Sequence, residues 1–328
     1  MKRVNNIYEE IYQIENLRTA HFKASKGKRH YKEVKKIDKR LNFYLRKIQK
    51  MLINETYTTS KYKVKTIHDS GKVRTIHVLP YYPDRIIQWA IMLKLENIFI
   101  RSFTKDTYSA IPERGIHKLF YELKSVLKKE KTLYCLKLDI CKYYQSIDHT
   151  ILKNLFKRKI KDEKLLYLLE NIVDSLPDGV PIGNYTSQYF ANFYLSYFDH
   201  WVKENLKVKY YFRYMDDIVL LSRSKRKISV IKRKVFKHLS EKLQLKIKNN
   251  WQIFLVSDRG IDFVGYRFFK EFILLRKSIV QKFKKKMGQF NTYKKISKSN
   301  IASIMSYYGW LKHCNGYNLF NKYTENLI

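Results

Sequence analysis

Carboxylates are scarce in this sequence: Asp and Glu number 29 against 67 Lys and Arg, leaving a formal charge of +38. That excess is far beyond what solubility requires. The basic residues recur from Lys2 to Lys322 instead of filling one tail. A surface so short of counter-charge implies a polyanionic partner, nucleic acid before membrane. Cysteine is scarce too: Cys135, Cys141 and Cys314 make an odd set with no Cys-x-x-Cys. This argues against a disulfide framework and against a zinc site, and fits a reducing cytoplasm. No apolar run approaches membrane-span length, and Met1-Lys2-Arg3-Val4-Asn5-Asn6 is followed by acidic residues with no apolar signal core. The expectation is a cytoplasmic protein with no membrane contact. Glycine, at 10, and proline, at 5, are few, and there is no internal repeat or low-complexity linker. Such a chain is compact and rich in regular structure.

Apolar and aromatic residues are plentiful. Hydrophobic residues make up 45% of the 328 positions, enough for one large domain or two or three lobes sharing a core. Aromatics reach 15%, including 27 tyrosines, and their interleaving with cations suits a partner with phosphates outside and bases to stack. The focal stretch is Tyr214-Met215-Asp216-Asp217. It is flanked by Tyr210-Tyr211-Phe212 and by Ile218-Val219-Leu220-Leu221, which reads as two strands joined by a tight turn. Two ionised carboxylates at a buried turn repel each other, and burial raises the cost. A divalent cation neutralises both; a solvated Asp-Asp turn is the plainer alternative, which the apolar flanks disfavour.

Along the chain, Ile7, Ile11, Ile14 and Leu17, then Ile37, Leu41, Leu45 and Ile48, predict helices joined by a basic link. They either pack on the rest or form a basic arm for RNA. Strands over 64–68 and 73–78 flank Asp69-Ser70-Gly71-Lys72, a hairpin signal that puts Lys72 and Arg74 on an extended platform. These cations could meet a triphosphate or be merely exposed. A buried helix is expected over 86–99 and another helix over 118–129. A strand over 133–139 ends in Asp139. After helices over 150–176 comes a turn-rich loop, Leu176 to Gln188, in which Asn184 and Thr186 are candidate N-caps. Gly183 there permits close approach to a phosphate or base, or serves only the turn. Phe190, Phe193, Tyr194, Tyr197 and Trp201 read as core. A basic helix over 225–246 follows, then strands over 253–256 and 261–268. The stretch 278–327 is helical and basic, led by Lys282, Lys284, Lys285 and Lys286; it is either a solvated face or a lobe that grips a duplex.

Asp139, Asp216 and Asp217 on adjacent strand ends could hold two Mg²⁺ ions, with the Ile140 carbonyl as a further oxygen. One ion lowers the pKa of an attacking hydroxyl and the other stabilises the leaving oxygen of an in-line phosphoryl transfer.

At this point the residues resemble a reverse transcriptase. Asp139 with Tyr144 is similar to the family's first palm motif, and Tyr214-Met215-Asp216-Asp217 to its third. Phe263-Val264-Gly265-Tyr266-Arg267 resembles the segment leading to the primer grip. Gly71-Lys72-Val73-Arg74 and Asp84-Arg85-Ile86-Ile87-Gln88 resemble fingers motifs of bacterial members. The resemblance runs in order over about residues 57 to 275. It implies an α+β right hand with an antiparallel palm sheet carrying the three carboxylates. The expected divisions are an N-terminal helical extension over 1–56, fingers over 57–132, palm over 133–275 and a short basic helical thumb over 276–328.

In place of the usual Gln-Gly-x-x-x-Ser-Pro, this chain has Ile182-Gly183-Asn184-Tyr185-Thr186-Ser187-Gln188. That variant, the stretch Ser306 to Leu311 and the chain length are similar to reverse transcriptases of diversity-generating retroelements. No added maturase or endonuclease domain is seen, which weakens a group II intron reading. The resemblance implies that Lys72, Arg74, Tyr144, Ile182, Gly183 and Gln188 contact the incoming dNTP, with Tyr144 as a steric gate against a 2′-hydroxyl. It implies primer or template contacts from Tyr214, Met215, Gly265, Tyr266, Lys282 and Lys285. Ile182 cannot donate the hydrogen bond that a polar residue supplies there, so looser positioning and low fidelity follow. Implied partners are a template RNA, the RNA/cDNA duplex and a small basic accessory variability protein; errors directed at template adenines are implied by the family alone. Ile111 stands where many bacterial relatives have arginine, which puts the nearby fingers contact in doubt. Lys246 and Lys248 are both candidates for a general acid. Rival readings are a retron or intron reverse transcriptase, an RNA-dependent RNA polymerase, and a catalytically silent RNA-binding scaffold.

Overall fold

The computed structural model describes residues 3–69, 72–293 and 297–325, with the Asp69 and Lys72 side chains outside that set. Strands β1 (Lys63–Asp69) and β2 (Lys72–Val78) pair as an antiparallel hairpin. Strands β3 (Tyr134–Asp139), β4 (Tyr210–Tyr214), β5 (Asp217–Ser222) and β6 (Gln252–Leu255) form a central sheet in the order β4-β5-β3-β6. Strands β7 (Ile261–Phe263), β8 (Tyr266–Phe268) and β9 (Ile273–Leu275) form a third sheet. Within these sheets every pairing is antiparallel.

The central sheet divides two cores, and the two-residue period of its strands does the dividing. Leu136 and Leu138 of β3, with Ile218 and Leu220 of β5, join a core built by helices Ile86–Ile100, His149–Lys159, Tyr185–Glu204 and Lys225–Leu243. Helices Ile14–Ser25 and Leu41–Ile53 pack into that same core. Cys135, Val219 and Leu221 point the other way, toward helix Ile116–Lys129, the β7–β9 sheet and the C-terminal helices Lys277–Phe290 and Lys298–Leu311. Asp139 and Asp217 share the parity of this second face. Helix Ile86–Ile100 is apolar nearly all round because it runs between other helices; Ile86, Ile87, Ala90, Ile91 and Leu95 are wholly buried. The aromatic stripe of helix Tyr185–Glu204 is core as expected, with Phe190, Phe193 and Tyr194 buried.

Several local expectations need correction. Residues 261–268 are a hairpin, not one strand: Phe263 pairs with Tyr266, and Val264 and Gly265 turn at φ 42° and 89°, the sign pattern of a type I′ turn. β9 was not anticipated. The helix expected to reach Lys246 ends at Leu243, where Gln244 takes φ 52°. The stretch 278–327 contains three helices over its described residues, Lys277–Phe290, Lys298–Leu311 and Tyr317–Thr324. Asn184 holds the N-cap position, yet its side chain caps nothing and donates to the Tyr62 hydroxyl at 2.9 Å. The Tyr185 N–H donates instead to Gln88 Oε1 at 2.9 Å. Thr186 lies inside the helix. Among the described residues no helix is long and apolar enough to cross a membrane.

The central hairpin is fastened from beneath by a fully buried ion pair. Arg213 Nη2 lies 2.6 Å from Asp199 Oδ2, both side chains at 0% exposure. Removing one partner leaves an uncompensated buried charge. Arg213→Met is therefore expected to destabilise the fold by about 3–5 kcal/mol, while Arg213→Met with Asp199→Leu recovers much of that loss. Denaturant unfolding of the two variants beside wild type checks it; equal loss in both would disprove the pair's role.

Candidate active site

Register brings the three aspartates together. Asp139, the last residue of β3, pairs with Asp217, the first residue of β5. Tyr214 pairs with Asp217 across the two-residue turn Met215-Asp216. The Ile140 N–H donates to the Asp216 carbonyl at 3.4 Å, so the turn is stitched to the end of β3. Met215 sits at φ 57°, an uncommon value for a residue with a side chain, and Arg213 Nη1 donates to its carbonyl at 3.0 Å. All three aspartates line one cleft of about 630 Å³.

Charge in the cleft is arranged around these carboxylates. Arg74, Lys137, Lys248, Arg259, Arg267 and Arg276 line it against Asp139, Asp216, Asp217 and Asp262, so it is net positive while it holds an acidic centre. Lys137 Nζ lies 3.2 Å from Asp217 Oδ2, and Lys248 Nζ lies 3.6 Å from Asp139 Oδ2. Burial pushes the Asp217 carboxyl up to about 7, with Lys137 opposing and Asp139 adding to the rise. Asp216 is raised by burial and by Asp139, against Lys248 and Arg74.

These residues fit a divalent cation. Asp217 Oδ1 is buried without a hydrogen-bond partner, a costly state that a hard cation relieves. Among the described residues no three His, Cys, Asp or Glu side chains already converge as a cluster; Asp139 and Asp217 have lysines as their counter-ions instead.

The other expected site residues divide into two groups. Arg74, Tyr214 and Met215 line the cleft with the aspartates. Tyr144 is half-buried, and its phenol is pushed up to about 12 by burial first and then by the Asp216 charge. Lys248 lines the cleft, whereas the Lys246 side chain is exposed. Ile182, Gly183 and Gln188 sit on the neighbouring loop and helix start. What approaches Gly183 closely is the chain's own β2: a Cβ there would lie 2.4 Å from the His77 carbonyl oxygen, at φ 129°. Gly265 and Tyr266 are taken up by packing. A Cβ on Gly265 would meet the Trp310 ring at 2.6 Å, and buried Tyr266 donates its hydroxyl to the Trp310 carbonyl at 3.0 Å. Lys282 and Lys285 are exposed on helix Lys277–Phe290, outside the cleft lining. The Lys72 side chain lies outside the described residues. Ile111 is a core residue at 6% exposure, and nearby Arg114 Nη1 donates to the Thr104 carbonyl at 3.1 Å.

Lys137 and the Arg213–Asp199 pair were missed from the sequence. A signal existed for each: Lys137 shares strand parity with Asp139, and Arg213 and Asp199 are charges inside apolar segments.

An antiparallel palm sheet ending in three aspartates, with a hairpin and helices on either side, defines the right-hand polymerase fold. The chain belongs to the reverse transcriptase (RNA-dependent DNA polymerase) family, whose model matches residues 59–268. It is 25% identical over 248 residues to Protein YkfC of Escherichia coli K12, covering 62% of this chain and 65% of that one. It is 28% identical over 152 residues to the group II intron-encoded protein LtrA of Lactococcus lactis, covering 43% of this chain and 25% of that protein. The chain thus spans less than two thirds of the length of either relative. Among solved structures it is similar to a C-terminally truncated apo telomerase from Candida tropicalis, with TM-score 0.51, 13% identity, and coverage of 69% and 58%. It is also similar to Candida albicans telomerase in complex with a fragment of telomeric RNA, with TM-score 0.52, 11% identity, and coverage of 73% and 51%. At these identities the likeness is one of fold.

The raised Asp217 carboxyl gives a signed pH dependence. The folded state holds its proton more tightly than the unfolded state does. Its contribution to stability is therefore full below the ordinary value of 3.8 and lost as pH rises to about 7. A bound divalent cation opposes that loss. Mn²⁺ should raise Tm clearly more at about pH 8 than at about pH 5, and Asp217→Asn should flatten the difference. Equal Mn²⁺ shifts at both pH values, in both proteins, would count against the site.

Proposed function

We propose that the chain is an RNA-directed DNA polymerase, carried by one observation: Asp139, Asp216 and Asp217 line one cleft at the end of the palm sheet, and the cleft is net positive around them. Asp139, Asp216 and Asp217 would hold two Mg²⁺ ions, with the Ile140 carbonyl as a further oxygen. Bound there, the metals supply activation of the primer 3′-hydroxyl and charge neutralisation on the leaving pyrophosphate. Arg74, with Lys72 beside it in sequence, binds the dNTP triphosphate. The Tyr144 ring fills the space a 2′-hydroxyl needs and so selects deoxyribonucleotides. Lys248, within reach of Asp139, is the better placed of the two lysines to act as general acid.

The finer reading is the reverse transcriptase of a diversity-generating retroelement. It rests on the loop Ile182 to Gln188, where an apolar side chain replaces a hydrogen-bond donor to the nucleotide sugar. Template RNA, its cDNA duplex and a small basic accessory protein are then the partners, and low fidelity is the consequence. The divisions into extension, fingers, palm and thumb at residues 56, 132 and 275 belong to this proposal. A second reading, a group II intron-like enzyme, is favoured by the 152-residue similarity to LtrA.

The test is cDNA synthesis on a defined RNA with Mg²⁺ and four dNTPs, with and without an accessory protein encoded nearby, and with products sequenced. Asp216→Asn should lower the rate about a thousandfold or more while RNA binding persists, because several kcal/mol of transition-state stabilisation go with the metals. Ile182→Gln should lower the error rate about fivefold, the equivalent of about 1 kcal/mol. Errors concentrated at template adenines support the retroelement reading. Low, even error in wild type moves the assignment to the intron-like reading, and RNA binding without any DNA product rejects both.

A further inference from the structure

Lys137 makes contacts that the proposed chemistry does not use. Its Nζ donates to Asp217 Oδ2 at 3.2 Å and also to the Asp262 backbone carbonyl on β7. The ammonium lies 5.4 Å from the centre of the Phe263 ring. The Asp262 carboxylate accepts from Arg276 Nε at 2.6 Å, and the Arg276 N–H donates to the Gly265 carbonyl at 2.9 Å. Arg276 directly precedes helix Lys277–Phe290. One continuous run of polar contacts thus leads from a metal-ligating carboxylate to the root of the C-terminal helices.

We propose that Lys137 is a positioning residue that couples the occupancy of Asp217 to the hold on the β7–β8 hairpin and the helix behind it. The proposal rests on the polymerase reading of the site. Without a metal, the ammonium is the counter-ion of Asp217 and simultaneously clamps β7 through Asp262. A divalent cation and an ammonium compete for the same carboxylate, since like charges a few ångströms apart in a mostly buried cleft repel strongly. Binding of a cation at Asp217 therefore pushes Lys137 off Asp217 and changes the clamp on Asp262. By linkage the reverse holds: whatever fixes the hairpin and the helix root alters the metal affinity by the same factor.

The experiment uses the full chain, Mn²⁺ as probe, binding calorimetry at about pH 8, and amide hydrogen exchange over residues 261–268 and 276–280 with and without Mn²⁺. In wild type, Mn²⁺ should change exchange in both segments severalfold. Lys137→Met should bind Mn²⁺ about tenfold more tightly, having lost the competing cation, and its exchange should no longer respond to the metal. Lys137→Arg should restore the response. Arg276→Gln takes the partner from the Asp262 carboxylate but leaves Asp139, Asp216 and Asp217 untouched, and should confine the response to 261–268. Unchanged Mn²⁺ affinity in Lys137→Met, or exchange in wild type that ignores Mn²⁺, overturns the coupling. Wild type that binds no Mn²⁺ at all overturns the metal-site reading along with it, so the two failures are distinct. Should Lys137→Met fail to fold, the wild-type exchange measurement decides alone.

Discussion

The site depends on a charge pair that never meets solvent. Asp199 on helix Tyr185–Glu204 accepts from the Arg213 guanidinium, from the Tyr211 hydroxyl at 2.6 Å and from Thr107 Oγ1 at 3.0 Å. Burial pulls the guanidinium down, and the Asp199 charge with its hydrogen bonds more than offsets it. Arg213 then spends a further donor on the Met215 carbonyl, inside the turn that carries Asp216. A hydrophobic substitute would pack as well or better, but it could not grip a carbonyl. The pair therefore contributes geometry more than stability. It fixes the positive-φ turn, and with it the separation of Asp216 and Asp217 from Asp139.

Above that foundation the cleft is held in electrostatic tension. Carboxylates are packed closely enough that burial and mutual repulsion raise two of them, and lysines on β3 and beyond helix Lys225–Leu243 hold the arrangement together. The site is thus poised: its negative centre is too compact to be comfortable by itself, and its rim is positive. On the proposed function, a cation would be drawn to the centre and a polyanion to the rim. The chain-wide excess of cations would serve the second need, while the scarcity of acids makes the three aspartates of the cleft conspicuous.

That conspicuousness is why the centre was legible in the sequence. Strand period assigned Asp139 and Asp217 to strand ends, and the apolar flanks assigned burial. Period also places Lys137 on the face of Asp139, yet it says nothing of the third sheet, so the contact to Asp262 was invisible. Arg213 and Asp199 are 14 residues apart in a helix and a strand whose docking no local pattern encodes. Tyr266 resembles a residue near a primer, and its packing against Trp310, 44 residues away, is encoded by no local pattern. The β7–β8 turn was hidden because Val264 carries no turn signal at a position with φ 42°.

Gly183 carries the remaining lesson about how the loop can vary. The His77 N–H donates to the Ile182 carbonyl at 3.0 Å, and the absence of a Cβ at Gly183 lets β2 come close. β1 and the start of β2 are otherwise exposed, with Val64 and Val73 at 62% and 64%. Backbone contact with this loop is therefore a main constraint on where Arg74, three residues before His77, stands over the cleft. The glycine is needed for the hairpin's placement, and the Ile182 bond uses only its main chain. The Ile182 side chain can consequently change from polar to apolar without moving the hairpin or the aspartates. On the proposed reading, architecture and nucleotide selection would be carried by adjacent residues but by different atoms, so a loop of this kind would alter fidelity while the fold beneath it stays the same.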